Sequence, residues 1–185
     1  MAVPDILIPG GPGVYDEAAG GSKVLTGSNG RPEVGSPNKV ITPTVTVNTA
    51  AYVAGDVLGG KLVLTDAVRV AGGKAVLESV HITDAGDQKA LIDLLFFDAD
   101  PTAASTTDHA AFAWSSDVSK CKGHVAVALA DYTTIAGVAV ASKRGLGLEL
   151  QSAATANLWC VPVAVGTPDY VASSDLRISF GFLQG

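Results

Sequence analysis

Basic runs, long apolar runs and aromatic residues are all scarce in this chain of 185 residues. The longest basic run is the pair Lys143-Arg144 and the formal net charge is −6, so the sequence lacks the basic stripe that a nucleic-acid groove requires. No apolar run reaches the roughly 18 residues of a membrane span. We therefore expect partners that are neither nucleic acids nor membranes.

Signals for export and for disulfide frameworks are equally weak. The beginning of the chain, MAVPDILIPGGPG, has no positively charged region and is interrupted by three prolines, so we expect synthesis in a cytoplasm without a signal peptide. Cys121 and Cys160 are too few for a disulfide framework. They are expected to be small buried hydrophobic residues, although a single disulfide between them stays open.

The first 39 residues differ in composition from the remainder. They contain 8 Gly, 5 Pro and a single aromatic residue, Tyr15. Such a segment cannot bury enough apolar surface to fold alone, so residues 1–39 are predicted to form an extended arm and residues 40–185 a β-sandwich body. The short apolar stretch Ile6, Leu7 and Ile8, with Tyr15, is a candidate for binding a partner by adding to a sheet edge or filling a groove.

The body is predicted to be all-β, an antiparallel β-sandwich of jelly-roll-like form. Short segments with apolar alternation, separated by Gly, Pro and Asp turns, give eight or nine strands and almost no helix. Ser116 is expected to cap one short helix over residues 117–122, ended by Gly123. The predicted strands are 40–47, 57–64, 69–77, 75–83, 89–98, 124–130, 146–151, 158–165 and 175–182.

The most regular part of the body, from Lys74 to Pro101, predicts two strands that form a hairpin at Asp84–Asp87. Residues 89–98 are apolar on both faces, so this strand must be covered twice. A small antiparallel domain offers one core. We therefore expect Leu91, Leu95 and Phe97 to be covered by another subunit.

Motifs for chemistry are incomplete. The segment from Gly55 to Lys61 matches G-x-x-x-x-G-K, but Leu62 follows in place of Ser or Thr and a strand follows in place of a helix. Asp98, Asp100 and Asp108 bracket a polar loop that could offer oxygen ligands to Ca²⁺, yet their spacing is ordinary turn chemistry. No nucleotide, metal or other cofactor is therefore predicted.

Zinc and hydrolase sites are no better supported. Cys121-Lys-Gly-His124 is half of a zinc site, and the remaining candidates, Cys160, His81 and His109, are remote in sequence. No G-x-S-x-G elbow occurs, and the three histidines lie in unrelated contexts. We predict that the protein is not an enzyme.

Five segments together carry a resemblance to a known family: ITPTVTV, YVAGDVLGG, LIDLLFFDADPT, ASKRGLGLEL and DLRISFGFLQG. From about residue 40 onward the chain resembles small virion structural proteins of tailed bacteriophages, of the capsid decoration or cement type. The resemblance implies a homotrimeric β-sandwich without catalytic residues, seated on the outside of the virion shell and bound to the major capsid protein.

Two other readings stay open. One is a head-fibre, spike or tail domain that recognises a host glycan through exposed loop aromatics, for which Trp114, Tyr132 and Tyr170 are the candidates. The other is a free carbohydrate-binding module, which predicts a monomer with a stacking aromatic platform.

Overall fold

A computed structural model describes residues 38–102 and 104–185. Nine strands form two antiparallel sheets in these ranges, and two short 3₁₀ helices, Ser116–Lys120 and Leu129–Asp131, lie in connections between strands. The strands are β1 (Asn38–Ile41), β2 (Leu62–Leu64), β3 (Lys74–Asp84), β4 (Ile92–Phe97), β5 (Cys121–Val127), β6 (Tyr132–Ile135), β7 (Val138–Gln151), β8 (Leu158–Ala164) and β9 (Leu176–Gln184).

The sheets have the strand orders β1-β9-β3-β7-β6 and β2-β8-β4-β5. The strands pair from the two ends of this region inward: β1 with β9, β2 with β8, β3 with β7 and β4 with β5. This nested pairing across two packed sheets is the arrangement of a jelly roll, with β6 as an added edge strand. The predicted all-β sandwich of jelly-roll-like form is therefore confirmed.

The main core lies between the two sheets. In β9, Leu176, Ile178, Phe180 and Phe182 are buried on alternate positions, as the period of two predicts. Phe180 meets Phe96 of the opposite sheet edge to face, with ring centroids 5.8 Å apart. Aromatic contacts of this kind add to area burial in joining the two layers.

The predicted hairpin between β3 and β4 is wrong. β3 pairs with β7 and β9, whereas β4 pairs with β5 and β8, so residues 85–91 carry the chain from one sheet to the other. Asp87 and Lys89 adopt positive φ, which lets the connection turn sharply. The turn residues were recognised, but a turn signal alone does not say which sheet the next strand joins.

A bulge in β3 changes which residues face the core. The register shifts between Leu77 and Ser79, so Ala75 and Leu77 are buried before the shift and Val80 and Ile82 after it. Simple alternation along the strand would instead place Leu77 and Val80 on opposite faces. One extra residue in a strand reverses the parity of everything beyond it.

The other local predictions hold in part. The strand predicted over 40–47 is shorter than expected, since β1 covers only Asn38–Ile41 and ends before Pro43; it lies at the edge of its sheet. The first 3₁₀ helix begins one residue earlier than predicted, because Ser115, and not Ser116, accepts a hydrogen bond from the Asp117 amide. Gly123 lies inside β5 and does not end a helix.

Candidate functional surfaces

The second apolar face of β4 is covered by this chain itself. Phe97 is fully buried in a small cluster with Val57, Trp159 and Val161, and Leu95 packs against the same cluster. Phe97 is thus not available to another subunit, which corrects the expectation from sequence. The sequence showed that a second cover was needed, but the cover comes from segments remote in sequence.

Leu91, immediately before β4, is the one of the three predicted partner residues Leu91, Leu95 and Phe97 that is exposed to solvent, with 37% of its surface accessible. Leu95 is half-buried. The remaining predicted partner residues, Ile6, Leu7, Ile8 and Tyr15, lie outside the described residues, and so does most of the predicted arm.

Among the three aromatic candidates for glycan stacking, only Trp114 is exposed. Its exposed fraction is 49%, and its ring lies 4.9 Å from that of Phe112 in an edge-to-face contact. Tyr132 and Tyr170 are buried in the main core. Trp114 therefore lies beside Phe97 of the small cluster, at a centroid distance of 6.2 Å, and is about half exposed to solvent.

The three candidate calcium ligands do not converge. Asp98 pairs with Lys122 at 3.2 Å, and Asp100 pairs with Lys61. Asp108 accepts hydrogen bonds from the Gly59 amide at 2.6 Å and from the Tyr52 hydroxyl at 2.7 Å. Each carboxylate is engaged in holding a loop, and no group of three potential metal ligands occurs among the described residues.

The half zinc motif is likewise divided between separate contacts. His124 Nε2 lies 2.9 Å from Asp93 Oδ1, while the Cys121 thiol donates to the Gly123 carbonyl at 3.7 Å. Cys121 and Cys160 are both free thiols. They flank β4 on opposite sides, on β5 and β8, which puts their Cα atoms roughly 10 Å apart, beyond disulfide reach.

Burial raises the pKa of both thiols, most strongly for Cys160, which is completely enclosed. A thiol whose pKa is raised holds little thiolate at neutral pH, and the thiolate is the reactive form. Cys160 is therefore a buried packing residue, as predicted, whereas Cys121 is only half-buried and packs against the small cluster.

A polar, open cavity of about 580 Å³ is present in the described region. It lies where β5 and β7 meet, and its lining side chains include Lys122, Asp98 and Glu149. Lys122 pairs with Asp98, and Glu149 pairs with Lys74 at 2.7 Å, which lowers the pKa of the Glu149 carboxyl. These charges are already neutralised by one another.

A row of polar side chains crosses the outer face of the five-stranded sheet. Thr42 Oγ1 lies 2.8 Å from Ser179 Oγ, and His81 Nδ1 lies 2.8 Å from Ser142 Oγ. Ser179 and Ser142 are the register partners of His81 on its two sides. This row could not be predicted from the sequence, because its members come from four separate segments.

A buried carboxylate lies at the end of β3, where the chain leaves the five-stranded sheet. Asp84 has no exposed surface, and neither of its carboxylate oxygens has a partner within hydrogen-bond geometry. The hydroxyl of Tyr170 is buried and unpartnered as well. The Tyr132 hydroxyl donates to the carbonyl of Ala90 at 2.7 Å in the connection that follows β3.

Burial raises the pKa of Asp84, and this effect outweighs the nearby backbone N–H groups of the 86–90 connection, which lower it. The negative charge of Asp84 in turn contributes to the raised pKa of Tyr132 and Tyr170, for which burial is the main cause. The three groups form one electrostatically coupled cluster behind the inter-sheet connection. Nothing in the sequence pattern distinguished Asp84 from an ordinary turn aspartate.

No helix among the described residues is long and apolar enough to cross a membrane. In comparisons with known proteins, no family model matches the chain, and no curated protein matches it either.

Proposed function

We propose that this chain is a structural protein of a tailed-bacteriophage virion, which binds the outside of the capsid lattice and stabilises it. The proposed partners are the major capsid protein and further copies of the chain, as a homotrimer. The proposed location is the capsid surface, after synthesis in the host cytoplasm.

The observation that supports this proposal best is how the charged side chains are used. All seven described lysines form ion pairs that hold loops and strands, and the candidate calcium ligands are engaged in the same way. The chemistry of the described region therefore maintains shape. This is the property expected of a protein that acts by presenting a rigid surface.

The fold is compatible with this role. Jelly rolls occur in viral capsid domains and in lectins, so the architecture favours a binding or structural protein without choosing between them. Three of the five segments that carry the family resemblance form strands here: LIDLLFFDADPT contains β4, ASKRGLGLEL lies within β7 and DLRISFGFLQG contains β9, whereas ITPTVTV and YVAGDVLGG lie almost entirely between β1 and β2. On a lattice, modest contacts from each copy would add through multivalency.

The test uses purified capsid shells that lack this protein. The full-length chain is mixed with the shells, bound protein is measured by co-sedimentation, and the temperature of shell disruption is recorded. We expect saturable binding and a higher disruption temperature. The mass of the free protein in solution, from light scattering, is expected to be that of a trimer. Failure to bind at micromolar concentration would overturn the proposal.

Trp114 favours one second candidate, a virion spike or fibre domain that binds a host glycan. Its side chain is half exposed and its ring contacts Phe112 edge to face, and an exposed aromatic ring held by its neighbours is what sugar stacking needs. A glycan array probed with the full-length protein and with Trp114→Ala tests this. Binding that disappears in the variant supports the glycan role. An array to which the full-length protein does not bind excludes that role. A free carbohydrate-binding module would give the same array result but a monomeric mass.

A further inference from the structure

Arg144 and Arg177 stand out from the other cations of the described region. Every lysine there is in an ion pair, but no ion pair in the same ranges involves either of these arginines. Both side chains are exposed. Arg69 is also unpaired, but it lies in the connection between β2 and β3. The two arginines of β7 and β9 are therefore cations without an anion of their own.

Sheet register places both arginines on the outer face of the five-stranded sheet. Arg144 is the register partner of Ser79, and Arg177 is the partner of Thr83. Ser79, His81 and Thr83 are alternate residues of β3 beyond its bulge, so they share a face. The arginines thus lie on opposite sides of His81, with Cα atoms roughly 17 Å apart by sheet spacings.

The surface between the arginines is short-chained, polar and free of acids. The three register rows through Ser79, His81 and Thr83 contain no Asp or Glu. Two acids of β3 adjoin these rows: Glu78, in the bulge, forms no ion pair with either arginine in the described ranges, and Asp84 is completely buried. In the His81 row the Ser179 hydroxyl is hydrogen-bonded to Thr42 and the Ser142 hydroxyl to the His81 ring, so both hydroxyls are already ordered.

We propose that this outer face, called here the arginine face and defined by Arg144, Arg177, His81, Ser142 and Ser179, is a docking surface for an acidic protein surface. Each guanidinium would bind a carboxylate of the partner with two parallel hydrogen bonds, and the hydroxyls would donate to neighbouring oxygens. Val40, 73% exposed in the row of Arg144, adds an apolar contact at the sheet edge.

The choice of a protein partner rests on composition. Arginine is enriched in protein interfaces and lysine is depleted, and the three rows hold arginines but no lysine. Nucleic acids are bound by neutralising many phosphates, which two arginines on a chain of net charge −6 cannot do. Discrete carboxylates on a folded partner fit two well-separated guanidinium groups on a flat face. The inference does not require the partner to be a capsid protein.

The experiment measures retention of the full-length protein on immobilised poly-L-glutamate, heparin and duplex DNA at rising salt. We expect salt-sensitive retention on polyglutamate that exceeds retention on the other two. Arg144→Gln with Arg177→Gln should weaken it by about tenfold or more, since hydrogen bonds to charged groups are the strong ones. The matched control is Lys74→Gln with Lys89→Gln, which removes the same charge from lysines that are already paired and should change retention little.

Three results would overturn the proposal. Equal losses in the two double variants would show an effect of net charge alone. Stronger retention on heparin or DNA would assign the arginine face to a polyanion other than a protein. Absence of retention on polyglutamate at low salt would show that the arginine face does not bind carboxylates. Circular dichroism of both double variants shows that the comparison is between folded proteins.

Discussion

At the scale of single residues, the most informative group is Asp84, because its burial has a definite consequence for stability. A folded-state pKa above the ordinary value means that the folded protein binds this proton more tightly than the unfolded chain does. The contribution of Asp84 therefore becomes more favourable as the pH falls through its folded pKa toward 3.8, its ordinary value. Above the folded pKa the buried charge is destabilising.

We expect Asp84→Asn to raise the free energy of unfolding at neutral pH, because it removes a buried charge but keeps the shape of the side chain. The gain should shrink as the pH is lowered, since acid neutralises Asp84 in the native protein. Urea unfolding of both proteins from pH 4 to pH 8 measures this difference.

Asp131→Asn is the control with the opposite sign. The side-chain hydrogen bond from Lys143 lowers the pKa of Asp131, so its contribution is present at neutral pH and is lost as the pH falls through its folded pKa. If Asp84→Asn destabilised the protein at pH 7, the carboxylate would be satisfied in solution and the account of this cluster would be wrong.

Gly59 provides a second residue-scale prediction. Its φ is +69°, and an added Cβ would lie 2.5 Å from Cγ1 of Val45, a buried side chain. We expect Gly59→Ala to cost about 2–4 kcal/mol, from backbone strain and overlap together. Gly137→Ala is the matched control, because its φ is +83° but nothing lies within 4 Å of the added Cβ, so only the strain applies. Equal losses in thermal or urea unfolding would show that the overlap relaxes freely.

At the scale of elements, the sequence predicts where most strands lie but not how they pair. Alternation located β9 and β8 to within a residue or two. The hairpin of β6 and β7 was missed, because its Ala136-Gly137 turn lacks the usual Asn-Gly or Asp-Gly signal. The parity error at Leu77 has a similar origin, since a bulge leaves no mark in the alternation of the residues around it.

For the candidate sites, too, the sequence predicts local features but not the contacts between distant segments. The apolar residues of β4 predict that its second face must be buried. The sequence does not predict that Val57 and Trp159 are the residues that bury it. Contacts between segments remote in sequence depend on sheet order, which local patterns do not encode. For the same reason, neither the burial of Asp84 nor the arginine face could be predicted without the sheet order.

The small cluster gives the element-scale prediction. Phe97 is completely buried, whereas Leu91, six residues earlier, is 37% exposed. We expect Phe97→Ala to lower the free energy of unfolding by about 3–5 kcal/mol, as for other buried aromatic truncations. Leu91→Ala should change it by less than about 1 kcal/mol. Chemical denaturation measures both values, and equal effects would show that this face of β4 is solvated.

Charged substitutions at Leu91 and Phe97 distinguish an effect on assembly from an effect on folding. If another subunit or a capsid covers the open end of this face, Leu91→Asp should weaken association while leaving the monomer folded. Phe97→Asp should prevent folding altogether, because it would bury an unpaired charge. Mass measurement by light scattering, with circular dichroism, distinguishes the two outcomes.

At the scale of the whole molecule, the nested strand pairing has a consequence for where stability resides. β1 and β9 join opposite ends of residues 38–185, so the two sheets form only when nearly all of this region is present. Such long-range pairing favours cooperative unfolding of the body as one unit and comparatively slow folding. The main core and the small cluster are both built from residues of this region.

The last prediction is that removal of residues 1–36 leaves the body folded but weakens its attachment to capsid shells. Every described strand begins at or after Asn38, so the truncated chain retains both sheets and both apolar clusters. Its unfolding midpoint should stay within a few degrees of that of the full-length protein, which circular dichroism can measure. If the predicted arm carries binding residues such as Ile6, Leu7 and Ile8, co-sedimentation with shells should fall while the midpoint is retained.

Equal binding by both forms would place attachment on the body alone. A truncated chain that no longer unfolds cooperatively would mean that the first 36 residues complete the fold, and the division between arm and body would then be wrong.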